Sequence, residues 1–352
     1  MIVWLAFLLF IGILLALDLG VFHRKAHVVS VREALGWTVI WMTTALLFSA
    51  FVYFGYQQNW LGLGLAPDAV ERAPGFPDGR PNDAPSALLK FLTGYVVELS
   101  LSADNVFVIA MLFSYFHVPR EYQHRVLFWG IRGALLMRGV MIGIGAALVS
   151  EFSWILLVFG VILIITAVRM LFIGDGHGDP SKNFILRFMR RHFPLTAEFH
   201  GEHFFIRESV AAAAVPATAA VSTRGRGRLM MTPLAPALVM VETTDLVFAV
   251  DSIPAIFAIT ADPFLIFTSN VFAILGLRSL YFALAGLLHT FRYLKHALAV
   301  VLLTVGIKML AHHQIEAFLG PHFNLYLLAT VVLILATGIG ASLADQKWRR
   351  AG

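Results

Sequence analysis

Apolar stretches about 20 residues long recur along the chain and alternate with short polar segments. Folded as a helix, a stretch of about this length crosses a hydrocarbon core about 30 Å thick. Because lipid offers no hydrogen-bond partners, the backbone within it must satisfy its own, which favours helices. The pattern therefore predicts an all-α, polytopic membrane protein with about nine transmembrane helices, at 2–22, 35–55, 87–114, 126–149, 154–173, 233–259, 264–288, 296–312 and 323–344.

The predicted spans and loops divide the chain into six parts. The first loop is rich in Pro, Gly and Asp, and the second contains a linker-like run of Ala, Pro, Ser and Thr. Since no Lys or Arg precedes the first apolar stretch and no small-residue cleavage site follows it, we interpret it as a retained span. The parts are a two-helix segment (1–55), an extracytoplasmic loop (56–86), a three-helix unit (87–173), a cytoplasmic loop (174–232), a second three-helix unit (233–312), and a last helix with its tail (313–352).

Composition supports lipid as the solvent. The 352 residues are 59% hydrophobic and 13% charged, whereas soluble domains carry about 25% charged residues. The chain contains no cysteine, which excludes disulfides and thiolate metal sites. Its net charge of +5 comes from basic residues in short loops, a pattern that indicates membrane orientation and no nucleic-acid partner. The basic run Arg224–Arg228 is interpreted as a solvated segment near anionic headgroups.

Basic residues are distributed unequally between the two sides of the membrane. The loops after spans one, three, five and seven, together with the C-terminal tail, hold 18 Lys and Arg, and the other side holds three, counting Lys90. Eight of the 18 fall in the long loop 174–232, where the rule is weak, but the remaining loops keep the same bias. This asymmetry predicts a multi-pass protein of the cell inner membrane with its N-terminus outside and its C-terminus in the cytoplasm.

Three sequence matches relate spans three to five to spans six to eight, in the same order. An odd number of helices per unit makes the second unit enter the membrane from the opposite side. The matches thus predict an inverted repeat of two three-helix units, a plan found in secondary transporters whose sites lie near the midplane. The matching pairs are Asp104-Asn-Val-Phe-Val-Ile with Asp245-Leu-Val-Phe-Ala-Val, Gly130-Ile-Arg132 with Gly276-Leu-Arg278, and Val168-Arg169-Met-Leu with Ile307-Lys308-Met-Leu.

Acidic residues inside the predicted spans are the candidate functional groups. A charge at the bilayer centre costs about 3 kcal/mol even on lenient scales, so these residues are expected to pair, line a wet cavity or bind an ion. Carboxylate and amide oxygens are hard ligands that suit Mn²⁺, Mg²⁺ or Ca²⁺. Pro254 frees the carbonyl of Val250, a further oxygen ligand. The predicted metal ligands are Asp18, Glu98, Asp104, Asn105, Glu242, Asp245 and Asp251.

Basic residues inside the spans are the natural partners of these acids. We expect Arg132 and Arg278 to neutralise carboxylates and keep the site ionised. The alternative is that the acids and bases form purely structural ion pairs. The sequence contains no nucleophile motif and no nucleotide-binding loop, so we predict no enzyme activity, no ATP drive and no permanently bound cofactor.

At these motifs the sequence resembles the TerC family of integral membrane proteins, and particularly its Alx-like branch. The resemblance extends from Asp18 to the last span. It implies a Mn²⁺ exporter of the lysine-exporter superfamily, with Glu98, Asp104, Glu242, Asp245 and Asp251 as the family's acids. The strings that carry it include Glu98-Leu-Ser-Leu-Ser-Ala-Asp104-Asn105, Glu242-Thr-Thr-Asp245-Leu-Val-Phe-Ala-Val-Asp251-Ser252-Ile-Pro254 and Thr268-Ser-Asn-Val-Phe-Ala-Ile-Leu-Gly-Leu-Arg278.

The leading prediction is therefore a Mn²⁺ efflux transporter that binds a divalent cation between inverted repeats within the lipid bilayer, with proton exchange as the expected coupling. Two alternatives stay open. One is a membrane scaffold that assists the insertion or metallation of other proteins, suggested by the basic loop 174–232. The other is a cation channel or a protein of alkaline-pH stress. The sequence leaves the oligomeric state unassigned.

Overall fold

The computed structural model describes residues 2–17, 30–70, 79–152, 154–172, 184–196, 198–207, 229–284, 293–319 and 323–351. Two short antiparallel pairs, β1 (Pro67–Asp68) with β2 (Arg80–Pro81) and β3 (Phe205–Arg207) with β4 (Leu229–Met231), accompany the helices. The helices are α1 (Ile2–Leu17), α2 (Val31–Gln57), α3 (Ala84–Tyr115), α4 (Arg120–Glu151), α5 (Ile155–Phe172), α6 (Phe184–His192), α7 (Leu234–Phe257), α8 (Pro263–Leu284), α9 (Leu294–Leu310), α10 (His312–Leu319) and α11 (Phe323–Ala351).

Every predicted span overlaps one of these helices. In the part of the chain that the structure describes, six of them are long and apolar enough to cross a membrane: α2, α3, α4, α5, α8 and α11. Of the other three, α1 and α9 have 16 and 17 residues, and α7 carries three acids. The prediction of an all-α, polytopic membrane protein is confirmed. The number nine and the six-part division stay predictions.

Polar side chains just outside the apolar stretches fix where several helices begin. The Ser30 hydroxyl accepts from the backbone N–H of Glu33 at 3.2 Å and starts α2. Asp83 accepts from the N–H of Ser86 at 2.9 Å and starts α3. Asp262 accepts from the N–H of Phe264 at 3.0 Å at the start of α8. Each carboxylate or hydroxyl satisfies an N–H that has no partner within its own helix.

The two predicted three-helix units pack against each other through three pairs of helices. Helix α3 packs on α8, α4 on α7, and α5 on α9. Helix α2 lies against α3 and α8, and α11 lies against α9 and α3. Contacts of the first helix of each unit with the second helix of the other are what a two-fold relation between the units produces. The inverted repeat itself stays a prediction.

Close approach of α5 and α9 depends on two glycines. A Cβ at Gly306 would lie 3.1 Å from the carbonyl oxygen of Gly160 and 2.9 Å from Cγ1 of Ile164. Since backbone cannot move aside, Gly306→Ala is expected to destabilise the protein by about 1–3 kcal/mol through overpacking. Thermal unfolding in detergent measures this loss as a lower midpoint.

Gly143 provides the matched control. It also lies within a long helix, α4, but a Cβ there meets no atom within 4 Å. Gly143→Ala is therefore expected to be neutral or to stabilise by up to about 1 kcal/mol through helix propensity. Equal effects of the two substitutions would contradict the packing that we assign to Gly306.

Candidate intramembrane carboxylate site

Arg138 of α4 contacts side chains from three other helices. Its Nη1 donates to Glu98 of α3 and, at 3.0 Å, to Oδ1 of Asn270 on α8. Its Nη2 donates to Oδ1 of Asp245 on α7 at 3.2 Å. The arginine thus joins the first two helices of one predicted unit to the first two helices of the other.

Burial makes these charges energetically dependent on one another. The side chains of Arg138 and Glu98 are each 2% exposed, and that of Asp245 is 12% exposed. A buried charge deprived of its partner destabilises a protein by about 3–5 kcal/mol. The guanidinium is suited to this position because its planar fork presents several donors at once. Its pairing with two carboxylates holds α3, α4 and α7 together.

Several buried polar atoms of Arg138 and of the helices that carry its acidic partners have no hydrogen-bond partner among the described residues. They are Nε of Arg138, Oδ2 of Asp245 and the hydroxyls of Ser102 and Ser252, all buried. An unsatisfied buried polar atom costs about 1–3 kcal/mol, more when the group is charged. Arg138 donates to one carboxylate oxygen of Asp245 and not to the other, so the arginine does not occupy every acceptor of the acids. The site retains oxygen atoms for a further ligand.

Glu242 adds a third carboxylate next to this cluster. It precedes Asp245 by three residues, so both acids lie on one face of α7. Its carboxylate lies against Gly133 of α4, where a Cβ would overlap it. When all are ionised, the three carboxylates and the single guanidinium of Arg138 leave an excess of two negative charges. That excess matches the charge of one divalent cation.

The chain is similar to known membrane proteins along most of its length. Residues 83–350 match the integral membrane protein TerC family. The chain belongs to the TerC family. A relative from Escherichia coli K12 named Alx, a candidate membrane-bound redox modulator, is 40% identical over 334 residues, which is 94% of this chain and 93% of the relative.

Two further relatives extend across most of this TerC-family chain. The membrane protein STKORF319 of Myxococcus xanthus is 44% identical over 306 residues, covering 87% of this chain and 82% of the relative. A membrane protein of Rickettsia bellii is 35% identical over 346 residues, covering 98% of this chain and 99% of the relative. No solved structure matches the chain.

The other predicted ligands lie at different places in the TerC-family chain. Asp104 is half-buried on α3, and Asn105 beside it is buried. Asp18 and the side chain of Asp251 lie outside the described residues. No group of three or more His, Asp or Glu side chains within the described ranges is arranged to hold a metal ion. The ligand assignments stay predictions.

The arginine whose contacts with Glu98 and Asp245 the structure describes is Arg138, and the charge-pairing roles of Arg132 and Arg278 stay predictions. Arg132 lies over the rings of Phe128 and Trp129, at 4.3 and 5.2 Å from their centroids. Nη1 of Arg278 lies 3.0 Å from Nε2 of His124. Arg138, a further base within the predicted span 126–149, makes the described contacts with Glu98 and Asp245.

A second buried polar network lies in the part of the fold that includes β1. Asp68 accepts hydrogen bonds from Nζ of Lys90 at 3.0 Å, from Nδ2 of Asn82 at 3.2 Å, and from the hydroxyl of Thr260. Its other carboxylate oxygen accepts from the N–H of Ala261 at 2.8 Å. These contacts connect the first loop to α3 and to the α7–α8 link. Sequence reasoning did not predict this network.

Asp262 continues the network and caps α8. Its Oδ2 accepts from the hydroxyl of Tyr56 at 2.7 Å and from Nδ2 of Asn82 at 3.3 Å. Burial raises the pKa of Asp262; the hydrogen bond from Tyr56 lowers it and the charge of Asp68 raises it, and the net direction is upward. The network therefore places Asp262, which resists ionisation, beside Asp68, which ionises readily.

Proposed function

We propose that this TerC-family protein exports Mn²⁺ from the cytoplasm across the inner membrane, using the carboxylates around Arg138 as the cation site. The observation that carries the proposal is the meeting of Glu98 and Asp245, from different predicted units, in a buried position with spare carboxylate oxygen. A site shared between two units changes its exposure when one unit moves against the other. That is the geometry an alternating-access transporter uses.

The choice of cation follows from the donor chemistry. The oxygen-bearing side chains on the helices that meet at Arg138 include carboxylates, the amide groups of Asn105 and Asn270, and the hydroxyls of Ser102 and Ser252. Oxygen ligands suit Mn²⁺, Mg²⁺ and Ca²⁺. The chain has no cysteine to offer a softer metal. Mn²⁺ is the member of this group that the likeness to the TerC family favours.

In this proposal Arg138 neutralises the carboxylates when no metal ion is bound. While its guanidinium pairs with Glu98 and Asp245, it keeps the carboxylates from facing each other unneutralised. An arriving divalent cation competes for the same oxygens and displaces the guanidinium. After the ion leaves, Arg138 or protons restore neutrality, which makes Mn²⁺/proton exchange the expected coupling.

The name of the Escherichia coli relative suggests a second candidate, redox modulation. A chain without cysteine cannot carry out thiol–disulfide exchange itself. We propose that any redox effect of this protein follows from the cellular level of the metal it moves. A channel and a scaffold remain as alternatives that the flux experiment distinguishes.

Reconstituted protein provides the test. Proteoliposomes containing the full chain should take up Mn²⁺ with saturation, and the rate should change with an imposed pH difference. Asp245→Asn removes a carboxylate charge while keeping its size, and we expect it to raise the half-saturating Mn²⁺ concentration about 10- to 100-fold. Glu151→Gln is the matched control, because it makes the same carboxylate-to-amide change at an exposed position. It should behave as wild type.

Other outcomes identify the alternatives. Wild-type uptake by folded Asp245→Asn protein would remove the site from the mechanism. Flux that rises linearly with Mn²⁺ concentration and ignores the pH difference indicates a channel. Absence of any cation flux from wild-type proteoliposomes favours the scaffold.

A further inference from the structure

The helix α6 (Phe184–His192) has a buried side and an exposed side that point in opposite directions. Leu186 and Met189 are buried in apolar clusters that include residues of α7. Phe184 is 77% exposed and Phe188 is 47% exposed. At 100° per residue, the two phenylalanines lie within about 40° of each other and on the side opposite Leu186 and Met189.

Aromatic and basic side chains form two adjacent rows on this exposed side. The rings of Phe184 and Phe188 have centroids 6.5 Å apart, and those of Phe188 and His192 are 4.2 Å apart. Arg187 and Arg191 are exposed one helical turn apart, next to the aromatic row. The sequence of α6 contains no Asp or Glu that could neutralise them. The exposed face is therefore aromatic at its centre and basic at its edge.

Attachment to a membrane-spanning helix keeps α6 near the bilayer. Helix α5 ends at Phe172 and α6 begins at Phe184, so eleven residues join them. A link of this length reaches at most about 40 Å even when fully extended. The charge bias along the chain predicts that α6 lies on the cytoplasmic side, where the leaflet carries anionic lipids.

We propose that α6 lies in the headgroup layer of the cytoplasmic leaflet and binds anionic lipid. Phe184 and Phe188 enter the boundary between headgroups and acyl chains, and Arg187 and Arg191 contact lipid phosphates. A helix with this division between apolar and basic side chains is the kind that lies in a membrane interface. The proposal does not depend on the identity of the transported ion.

The absence of cysteine makes a direct test possible, because a single introduced cysteine can be labelled without background. A nitroxide at Phe188→Cys in the full-length protein, reconstituted in phosphatidylcholine discs with and without phosphatidylglycerol, reports on its surroundings. We expect oxygen, which is concentrated in lipid, to relax the label more than a water-soluble nickel chelate does. Glu198→Cys, at an exposed loop position, is the control and should favour the chelate in both lipids.

Arginine dependence tests the headgroup contact. Since one Arg near an anionic surface contributes about fivefold in membrane affinity, Arg187→Gln and Arg191→Gln together should lower the lipid-bound to water-exposed ratio of the label by about 25-fold in phosphatidylglycerol discs. In discs of pure phosphatidylcholine the same two substitutions should change this ratio little.

Two outcomes overturn the proposal. A label at Phe188→Cys with the same chelate access as Glu198→Cys in every lipid would place α6 in water. A label shielded from both oxygen and chelate would place this face against protein. Phe184→Cys is the second reporter, and agreement between the two positions guards against a local effect of either label.

Discussion

Arg138→Met is expected to destabilise the metal-free protein and to make its stability depend on Mn²⁺. The substitution leaves Glu98 and Asp245 buried without their counter-charge, which costs about 3–5 kcal/mol. If the same carboxylates bind the transported ion, Mn²⁺ replaces the missing positive charge. A ligand at 100 times its Kd stabilises the folded protein by about 2.7 kcal/mol. Added Mn²⁺ should therefore recover much of the lost stability.

Thermal unfolding in detergent, with a chelator and then with Mn²⁺, measures this recovery. Wild-type protein should respond less, because its own guanidinium competes for the acids. Arg132→Met is the matched control: it removes an arginine from the same helix, but one that lies over two aromatic rings. We expect Arg132→Met to show no added Mn²⁺ response. A destabilised Arg138→Met protein that gains nothing from Mn²⁺, Mg²⁺ or Ca²⁺ would show that these carboxylates serve only as an ion pair.

Hydrophobic pattern predicted the long helices because burial in lipid and helical folding impose the same requirement on about 20 consecutive residues. It predicted their ends less well. Helix α3 begins at Ala84 and α4 at Arg120, three and six residues before the predicted starts. The additional residues are polar or small, and Asp83 caps the first of these helices. Hydropathy detects the apolar part of a helix and misses the turn that its cap adds.

The acids of the site could be predicted from the cost of a charge in lipid, but their partner could not. Arg132 and Arg138 lie six residues apart on α4, which turns them about 120° from each other. Which one meets α3 and α7 depends on how the helices are rotated in the packed structure. One further signal was available: Glu98 precedes Asp104 by six residues, as Asp245 precedes Asp251. That spacing aligns Glu98 with Asp245, which differs from the match of Asp104 with Asp245, and Glu98 and Asp245 are the two acids that contact Arg138.

The network around Asp68 was missed for a different reason. Lys90 lies in the predicted span 87–114 but was counted with the outer loops for orientation, and no partner was predicted for it; the structure shows its side chain buried within α3. Asp68 lies in a Pro- and Gly-rich loop that shows no periodic pattern. Its partner Thr260 is 192 residues away along the chain. Contacts between positions so far apart leave no local signal in one sequence.

Lys90→Met is expected to destabilise the protein by about 3–5 kcal/mol, because it leaves the carboxylate of Asp68 buried without its cation. Asp68→Asn should have a comparable effect by leaving Lys90 unpaired. Combining the two substitutions removes both charges and should recover most of the loss, since a buried ion pair contributes little net stability. Thermal unfolding of the two single variants and the double variant measures the coupling. Purely additive losses would contradict a direct charge pairing.

The pH dependence of this loss follows from the two acids of the network. Burial acts to raise the pKa of Asp68, but Lys90 and the hydrogen bonds from Thr260 and two backbone N–H groups outweigh it and lower the pKa to about 2. In the unfolded chain the pKa of an Asp is about 4. Because folding lowers the pKa of Asp68, its contribution to stability is present above pH 4 and is lost as pH falls towards 2. The pKa of Asp262 is raised, so this residue affects stability in the opposite direction. Its contribution to folding stability is lost as pH rises through that pKa. The difference in unfolding midpoint between wild type and Asp68→Asn should therefore hold or widen as pH falls from about 8 to 5, because protonation of Asp262 removes its repulsion with Asp68, and shrink only in stronger acid. A difference that already closes between pH 8 and 5 would contradict an ionised Asp68 held by Lys90.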